Sequence, residues 1–468
     1  MSAQRSEADG PAAEPGRLGA EADGSGAEAE ELLARLIQFN TVNPPGNERP
    51  AQEFLADHLQ RAGFECELIG AEPGRPNLLA RLRAAGAPPA SEPMPDREAP
   101  RGGPTLCLLG HVDTVLADAE EWTHGPWSGE LADGFLWGRG ALDMKSQVAA
   151  EVAAAASLAR SGWRPARGEL LVAAVVDEET GGSLGAGWIT KEHPERVRCD
   201  LLINEGGGGS FDYNGRRHYG VCCAEKGVFR FTLSTDGVAG HASMPGMGEN
   251  ALLKMGPVFE RLAARQPSYE LTDEPRALLR GIGEDPDDAR GSIAHLRAAD
   301  ARLATMFEPM LGVTFTPTRI SASEKINVIP SRAELKIDCR VPPGLGEAEV
   351  LRGIAEVLGE DGFRIDFSER VVGNRSPMTS RLMDTIIRWI GVRDPGAQVV
   401  PMILPGFTDS RHFREAFPEC VAYGFFPQRH QSMMQTAPLV HGADERIDVR
   451  DLRFATEFFG DLARSALG

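Results

Sequence analysis

Short apolar runs alternate with amphipathic stretches over the first half of the chain, and each run ends in polar residues. The runs at 105–109, 170–176 and 201–204 are followed by GHVDT, DEETGG and EGGGG. The stretch 144–160 lies between the first two runs and has few helix breakers, which predicts a helix. Buried strands separated by helices of this length predict an α/β unit with a mixed, mostly parallel sheet flanked by helices. Ligands bind outside the carboxyl ends of such strands, where the three polar clusters lie.

The pattern changes after about residue 221. The segments 228–236 and 333–340 alternate apolar and polar residues with period two, which indicates antiparallel strands with one solvated face. A second, α+β domain is therefore expected there. The segment 266–318 is rich in Pro, Asp and Arg, and its structure and role are not assigned from the pattern.

Helical patterns like those of the first domain resume near the C-terminus, so one domain is expected to be inserted in the other. The predicted order is a disordered tail at 1–28, the first part of a catalytic domain at 29–225, an inserted α+β domain at 226–372, and the second part of the catalytic domain at 373–468. The tail is rich in Ala, Gly, Glu and Pro. The segment 84–104 contains six prolines and is expected to be a mobile surface insertion.

Composition narrows the class of protein. The 468 residues are 42% hydrophobic and 25% charged, as in soluble globular proteins, and the net charge is −19. Such an acidic surface repels phosphate backbones and anionic lipid, so neither nucleic acid nor a membrane is expected as a partner. The seven irregularly spaced cysteines lack any CxxC, and the N-terminus lacks an apolar signal segment. We therefore expect a cytoplasmic protein that binds a small molecule or a metal.

Titratable residues follow the predicted strands. His111 and Asp113 end the first run, and a carboxylate at this spacing can hold an imidazole while its other nitrogen binds a metal. Asp143 precedes the long helix and by itself also fits an N-cap. Glu178 and Glu179 follow the second run, where adjacent carboxylates repel each other unless they share a cation or one is protonated.

A candidate metal site emerges when two later residues are added. Glu205 precedes four glycines, which allow close approach to a bound group, and His441 lies near the C-terminus. The combined set of two imidazoles and three carboxylates suits two divalent ions bridged by one carboxylate: His111, Asp143, Glu179, Glu205 and His441. Ligation by N and O without thiolate favours zinc, with cobalt or manganese as alternatives. Glu178 would remain to transfer a proton.

The motifs LLGHVDTV, WGRGALDMKSQ, VVDEETGG, GHASMP and HGADERI occur in this order along the chain. In order and approximate spacing they resemble the motifs of the co-catalytic zinc metallopeptidases and amidohydrolases. That family includes acetylornithine deacetylase, succinyl-diaminopimelate desuccinylase, aminoacylase and glutamate carboxypeptidase. The resemblance extends over nearly all of the chain from about residue 29.

The resemblance implies a role for each candidate ligand. His111 and Glu205 would bind one zinc ion, and Glu179 and His441 would bind a second. Asp143 would bridge the two ions.

Three further residues take catalytic roles by the same resemblance. Asp113 would orient His111, and Glu178 would be the general base that activates the attacking water. His241, in GHASMP, is similar to the family's histidine that stabilises the oxyanion of the tetrahedral intermediate. In many members this histidine comes from the neighbouring subunit.

The inserted domain resembles the family's lid, which implies a homodimer formed through the lids. Asn327 and Arg340 correspond to groups that hold substrate, and the planar Arg340 guanidinium suits a carboxylate. Thr408, in GFTDSRHF, resembles part of another loop near the substrate. A lone surface charge remains the alternative interpretation of Arg340.

The expected function is a two-zinc hydrolase that cleaves the amide of an N-acyl amino acid or of a short peptide with a free carboxylate. A strict dipeptidase or carboxypeptidase is the alternative, and a catalytically idle metal-binding scaffold on the same fold is a more remote one. Several desuccinylase-type members have a proline after the third carboxylate, whereas this chain has NEGGGG at 204–209. The acyl group and the amino acid therefore stay open.

Overall fold

A computed structural model describes residues 15–85, 103–359 and 361–468, so most of the predicted insertion at 84–104 lies outside the described residues. The helices are α1 (Pro15–Gln38), α2 (Arg49–Ala62), α3 (Lys145–Arg160), α4 (Ala186–Glu192), α5 (Pro194–Val197), α6 (Ala251–Lys254), α7 (Gly256–Ala264), α8 (Asp273–Ile282), α9 (Ala289–Ala299), α10 (Ala301–Phe307), α11 (Glu347–Leu358), α12 (Arg381–Arg393), α13 (Ser410–Ala416), α14 (Met433–Thr436) and α15 (Val449–Leu467). The strands are β1 (Glu65–Ile69), β2 (Asn77–Arg83), β3 (Thr105–His111), β4 (Glu130–Ala132), β5 (Phe135–Trp137), β6 (Glu169–Val175), β7 (Leu201–Asn204), β8 (Gly209–Tyr213), β9 (Arg216–Glu225), β10 (Gly227–Val228), β11 (Phe231–Asp236), β12 (Gly240–His241), β13 (Thr314–Ser321), β14 (Val328–Ile329), β15 (Arg332–Val341), β16 (Arg364–Phe367), β17 (Asn374–Arg375), β18 (Gln398–Leu404), β19 (Val421–Gly424), β20 (Gln428–Ser432) and β21 (Arg446–Asp448).

A mixed sheet forms the centre of the larger domain. Its strand order is β1-β2-β6-β3-β7-β19-β9-β8-β20, and β17 and β18 also pair with β9. The central strands β6, β3, β7 and β19 are parallel, whereas β1 and β2 extend the sheet in antiparallel fashion. The apolar runs in β3, β6 and β7 are buried, as expected for strands covered on both faces. The predicted α/β class is confirmed.

Helix α3 packs between this sheet and the helices α1 and α15. Almost all of its side chains are buried, and the many alanines let the neighbouring helices approach closely. Its observed bounds match the predicted helix at 144–160 to within one residue. The helix begins directly after the loop that carries Asp143, so its packing fixes the position of that loop.

The smaller domain contains an antiparallel sheet in the order β10-β15-β11-β16, with β13 also paired with β15. Alternate residues of β15, including Leu335 and Ile337, are buried together with Leu233 of β11 against α6, α7 and α11. The alternation predicted at 333–340 is therefore confirmed. We call this α+β unit the lid.

Most of the segment that the sequence left unassigned forms helices α8, α9 and α10, and its end at 314–318 belongs to the lid strand β13. Their buried side chains, among them Leu278, Leu296 and Phe307, pack against Phe211 and Met402 of the larger domain's sheet. These helices lie between the lid strands in sequence but join the core of the larger domain. The interval predicted for the inserted domain thus contains helices that pack on the sheet of the larger domain.

Helix α1 begins at Pro15, inside the segment predicted to be disordered, and residues 1–14 lie outside the described residues. The prediction of disorder is therefore wrong for the part that forms this helix. Glu28 hydrogen-bonds with His58 and Arg160. Because tertiary contacts stabilise a helix that an Ala-rich composition alone leaves marginal, the sequence pattern did not reveal its true start. No helix in the described parts of the chain combines the length and apolarity needed to cross a lipid bilayer.

Candidate active site

The candidate ligands meet at the carboxyl ends of three adjacent parallel strands. His111 is the last residue of β3, which lies between β6 and β7. Glu178 and Glu179 form a short turn after β6, and Glu205 directly follows β7. The sheet order therefore brings together side chains that are far apart in sequence.

Asp143 lies between the two histidines. One of its carboxylate oxygens is 3.1 Å from Nε2 of His111, and the other is 3.1 Å from Nε2 of His441. Glu205 Oε1 is 3.7 Å from the same His111 nitrogen, and Glu179 Oε2 is 3.3 Å from the same His441 nitrogen. One carboxylate is thus shared between two matching sets of side chains.

These contacts define two groups that could each hold a metal ion. Within each group, the potential ligand atoms lie within 4.8 Å of one another. The first group is His111, Asp143 and Glu205, and the second is Asp143, Glu179 and His441. The donor set of imidazole nitrogens and carboxylate oxygens suits zinc and related divalent ions.

The pKa values of the site residues reflect buried carboxylates that lie close to one another. Burial raises the pKa values of the Glu178 and Glu205 carboxyls well above their usual range, and the charge of Asp143 raises them further. Burial alone would also raise the pKa of Asp143, but hydrogen bonds with His111 and His441 hold it well below its usual value. Contacts with Asp143 and Glu179 raise the pKa of His441 to about 10. The crowded carboxylates are a set of groups that bound cations would stabilise.

Asp113 connects His111 to the turn that carries the two glutamates. Nδ1 of His111 is 3.0 Å from the Asp113 backbone carbonyl and 3.5 Å from its carboxylate. The same carboxylate accepts hydrogen bonds from the backbone N–H groups of Glu178 and Glu179, each at 3.2 Å. Asn43 Nδ2 donates to it at 2.9 Å. Asp113 therefore positions the glutamate turn as well as the imidazole, which the spacing of HVD alone did not indicate.

Glu445 holds the loop that carries Asp143. One of its oxygens accepts the N–H groups of Leu142 and Asp143, at 2.6 and 3.0 Å. The other accepts from Gly140 N at 3.1 Å and from Arg139 Nη1 at 2.6 Å. Glu445 is completely buried. Sequence reasoning missed this residue, although it lies in the HGADERI motif, four positions after His441.

His441 has a backbone φ of 60°, in the left-handed region that few non-glycine residues adopt. Arg139 Nη2 donates to its carbonyl at 3.1 Å. Arg139 therefore holds the backbone of His441 and the Glu445 carboxylate together.

A cleft of about 380 Å³ opens beside these residues. Its lining includes Asp143, Glu178, Glu179, Glu205 and His441. The glycines at 206–209 form another part of the lining. The volume is in the range of small-molecule sites.

The predicted lid residues lie elsewhere in the structure. His241 is exposed, and its Nδ1 is 2.7 Å from Ser243 Oγ. The pairing of β12 with β14 places it beside exposed Asn327, whose carbonyl accepts the N–H of Ala242 at 3.0 Å. Arg340 pairs with Asp338 within the lid sheet, at 2.7 Å. The described residues that line the cleft do not include His241, Asn327 or Arg340.

Thr408 lines the cleft but its hydroxyl is fully engaged. It donates to Glu225 Oε1 at 2.7 Å and accepts from Asn204 Nδ2 at 3.1 Å and from Ser410 N at 3.2 Å. These bonds stabilise the loop after β18. A substrate contact by Thr408 stays a prediction.

Comparison with known proteins agrees with this fold and site. The sequence matches the profile of Peptidase family M20/M25/M40 over residues 107–465. It is 29% identical over 450 residues to a succinyl-diaminopimelate desuccinylase of Methylorubrum extorquens, covering 92% of this chain and 96% of that protein. It is 27% identical over 378 residues to a probable carboxypeptidase S-like 2 of Dictyostelium discoideum, covering 77% of this chain and 71% of that protein.

Among solved structures, an M20 family metallo-carboxypeptidase from Sulfolobus solfataricus has the same fold. The TM-score is 0.67 at 18% identity, over 94% of this chain and 99% of the other. Because the family profile matches well over half of the sequence, the chain belongs to Peptidase family M20/M25/M40. The resemblance recognised from the motifs is confirmed, as is the prediction of a metal-dependent amidohydrolase or metallopeptidase.

Proposed function

We propose that the protein is a two-zinc hydrolase that cleaves the amide bond of N-acyl amino acids or of short peptides with a free carboxylate. The observation that carries this proposal is the placement of Asp143, which offers one oxygen to the group around His111 and the other to the group around His441. The names of the related desuccinylase and carboxypeptidases support the substrate class.

The proposed ligands follow the two groups. His111 and Glu205 would hold one ion, Glu179 and His441 the other, and Asp143 would bridge them. Zinc fits these donors best, and cobalt or manganese would also be accepted. When bound, the ions would act as Lewis acids that polarise the scissile carbonyl and lower the pKa of water.

Glu178 is the proposed general base. It lines the cleft and belongs to neither ligand group, although it adjoins the ligand Glu179. Its backbone N–H donates to the Asp113 carboxylate, and this bond positions the Glu178 backbone at the edge of the site. Glu178 would take the proton of the attacking water and return it to the leaving nitrogen.

The lid would complete the site. His241 would stabilise the oxyanion, while Asn327 and Arg340 would bind the substrate carboxylate. None of the three lines the cleft of its own chain, so we propose that a second chain supplies at least His241. The described residues leave one side of the lid strand β13 unpaired, and Leu253 on α6 is exposed. Both features support a homodimer that forms through the lids.

A cytoplasmic location is part of the proposal. All seven cysteines are free, and six of them are buried, in keeping with a reducing compartment. Secretion of a protein with the same free thiols is the alternative. Fractionation of cells with a tagged chain would distinguish the two.

A hydrolysis screen tests the proposed function. The zinc-loaded protein is assayed against N-acetyl, N-succinyl and N-long-chain-acyl amino acids and against dipeptides, with Glu178→Ala as the matched control. Turnover of N-acyl amino acids by the wild type alone supports the proposal. Turnover of dipeptides only would establish the strict peptidase alternative. No turnover of any amide at full metal content would favour an idle scaffold.

A further inference from the structure

Away from the candidate metal ligands, the cleft is lined by large apolar side chains. They come from three places in the larger domain: helix α10, strand β18 with the loop after it, and the chain from the end of β19 to α14. The residues concerned are Met306, Met402, Leu404, Phe407, Phe426 and Met433. Three of the six are methionines, whose flexible thioethers adapt to elongated apolar groups.

Helix α10 reaches the cleft because of how the segment from α8 to α10 packs. Leu303 and Phe307 are buried in the core that joins these helices to the sheet, whereas Met306 is only partly buried. It lines the cleft from the helix face next to that core. The segment that the sequence left unassigned thus supplies part of the cleft wall.

Two glycines on β8 and β9 make room for two of these methionines. A Cβ atom at Gly220 would lie 1.9 Å from the sulfur of Met402, so glycine at this position leaves room for the Met402 side chain where it lies. A Cβ at Gly209 would lie 3.0 Å from Cβ of Met433. Methionines occupy the space that side chains on β8 and β9 would otherwise take.

The charged side chains that line the cleft are candidate metal ligands and Glu178. Among the described residues that line it, none is a lysine or an arginine. Arg411 lies 4.1 Å from the centre of the Phe407 ring but is not part of the lining. A second carboxylate on the substrate, as in a succinyl group, would therefore be desolvated against apolar side chains without a cationic partner among these lining residues, since Arg340 of the lid is already assigned to the first carboxylate.

From these observations we propose, on the basis of the proposed function, that the cleft binds an uncharged apolar chain of the substrate and discriminates against acidic acyl groups. Met306 is a specificity-determining residue in this proposal. The apolar chain belongs either to the acyl group or to the amino-acid side chain. The desuccinylase activity named for the bacterial relatives is accordingly not expected here.

The test compares matched substrates on the zinc-loaded wild type. One series lengthens the acyl group from N-acetyl to N-octanoyl on a fixed amino acid, and another enlarges the amino-acid side chain under a fixed acetyl group. N-succinyl substrates form the acidic arm. We expect kcat/KM to rise roughly threefold per methylene along one of the two series, and N-succinyl substrates to react at least about 100-fold more slowly than the best apolar substrate. The series in which kcat/KM rises shows whether the cleft binds the acyl group or the amino-acid side chain.

Two lysine variants on α10 localise the effect. Met306→Lys places a cation in the cleft, so kcat/KM for the apolar substrate should fall roughly 10-fold or more while that for the N-succinyl substrate rises. Thr305→Lys adds the same charge on the exposed side of the helix and should change neither. Met306→Leu keeps an apolar side chain of similar volume and should retain the preference for the apolar over the N-succinyl substrate.

The outcomes separate this proposal from the proposed function. Hydrolysis that is fastest with N-succinyl substrates, or that ignores chain length in both series, overturns the apolar cleft and leaves the hydrolase proposal standing. A succinyl preference lost in Arg411→Ala would assign acid recognition to that arginine instead. If no amide is hydrolysed, the binding of octanoate and succinate is measured by calorimetry. Binding of octanoate but not succinate, with weaker binding in Met306→Lys, would support the apolar cleft and reject the hydrolase proposal. Binding of neither rejects both.

Discussion

Glu445 accepts the backbone N–H of Asp143 at 3.0 Å, and so links a completely buried carboxylate to the residue shared by both candidate metal groups. The same carboxylate accepts N–H groups from Leu142 and Gly140 on that loop. Glu445 has no ligand atom in either metal group. It is therefore a positioning residue, and its effect on the metals should pass through the Asp143 loop.

Glu445→Gln should weaken metal binding. The amide replaces one acceptor oxygen with a donor, which must then face a backbone N–H or the Arg139 guanidinium. We expect affinity for zinc to fall roughly 10–100-fold, as for other groups that orient metal ligands, and added zinc to restore most of kcat. Asp444→Asn is the control, because the Asp444 side chain accepts hydrogen bonds from Thr123 on an exposed loop and, among the described residues, none from the Asp143 loop. Unchanged zinc affinity in Glu445→Gln would remove Glu445 from this role.

Glu178→Ala should retain both metals and lose turnover. A general base contributes roughly 10²–10⁴-fold to the rate, and Glu178 lies in neither ligand group. Glu179→Ala is the matched variant, since it removes the neighbouring carboxylate that lies 3.3 Å from His441 and should lose metal. Elemental analysis and kcat distinguish the two. Loss of zinc from Glu178→Ala would show that Glu178 is a ligand.

Arg340→Ala should raise KM for substrates with a free carboxylate and leave KM for the corresponding amides almost unchanged, because only the carboxylate loses its bidentate partner. Arg230 offers a close control. It also pairs with Asp338 but lies between β10 and β11, whereas Arg340 lies on β15. Arg230→Ala should leave both KM values unchanged. Equal effects of Arg340→Ala on acids and amides would assign Arg340 a structural role.

Mixing inactive Glu178→Ala with inactive His241→Ala should restore activity if lids are shared between chains. In a heterodimer, one site then combines an intact Glu178 with an intact His241 from the other chain. After full subunit exchange we expect about a quarter of the wild-type activity, because half of the dimers are mixed and each has one intact site. Exchange is verified with differently tagged chains. No recovery after verified exchange, or a fully active monomer in sedimentation, would contradict the shared site.

The sequence predicted those parts of the site that lie on regular elements. His111 and Glu205 follow apolar runs that are recognisable as buried strands, and Asp143 precedes a helix with a clear pattern. Adjacent parallel strands end at the same edge of a sheet, so the sequence alone indicated that these side chains lie close together. The motifs then indicated the partner His441, whose left-handed backbone has no hydrophobic pattern to predict it.

Other features depend on long-range packing that a local pattern does not contain. The local sequence pattern can place Met306 on a helix. That it lines the cleft becomes visible only from the packing of α8, α9 and α10 against β8 and β18. The buried bonds of Thr408 with Glu225 and Asn204 likewise join residues about 200 positions apart. Such contacts arise from topology, which explains why the sequence assigned no role to Met306 and did not anticipate the engagement of Thr408.

The most direct test of the central claim is a calorimetric titration of the metal-free chain with zinc, made on the wild type and on Asp143→Ala. We expect the wild type to bind two zinc ions per chain, since Asp143 is shared by two ligand groups. Affinity at both sites should fall at least roughly 100-fold in Asp143→Ala, because each ion loses a ligand and its charge. A wild type that binds a single ion, or an Asp143→Ala variant that binds two with unchanged affinity, would contradict a metal pair bridged by Asp143.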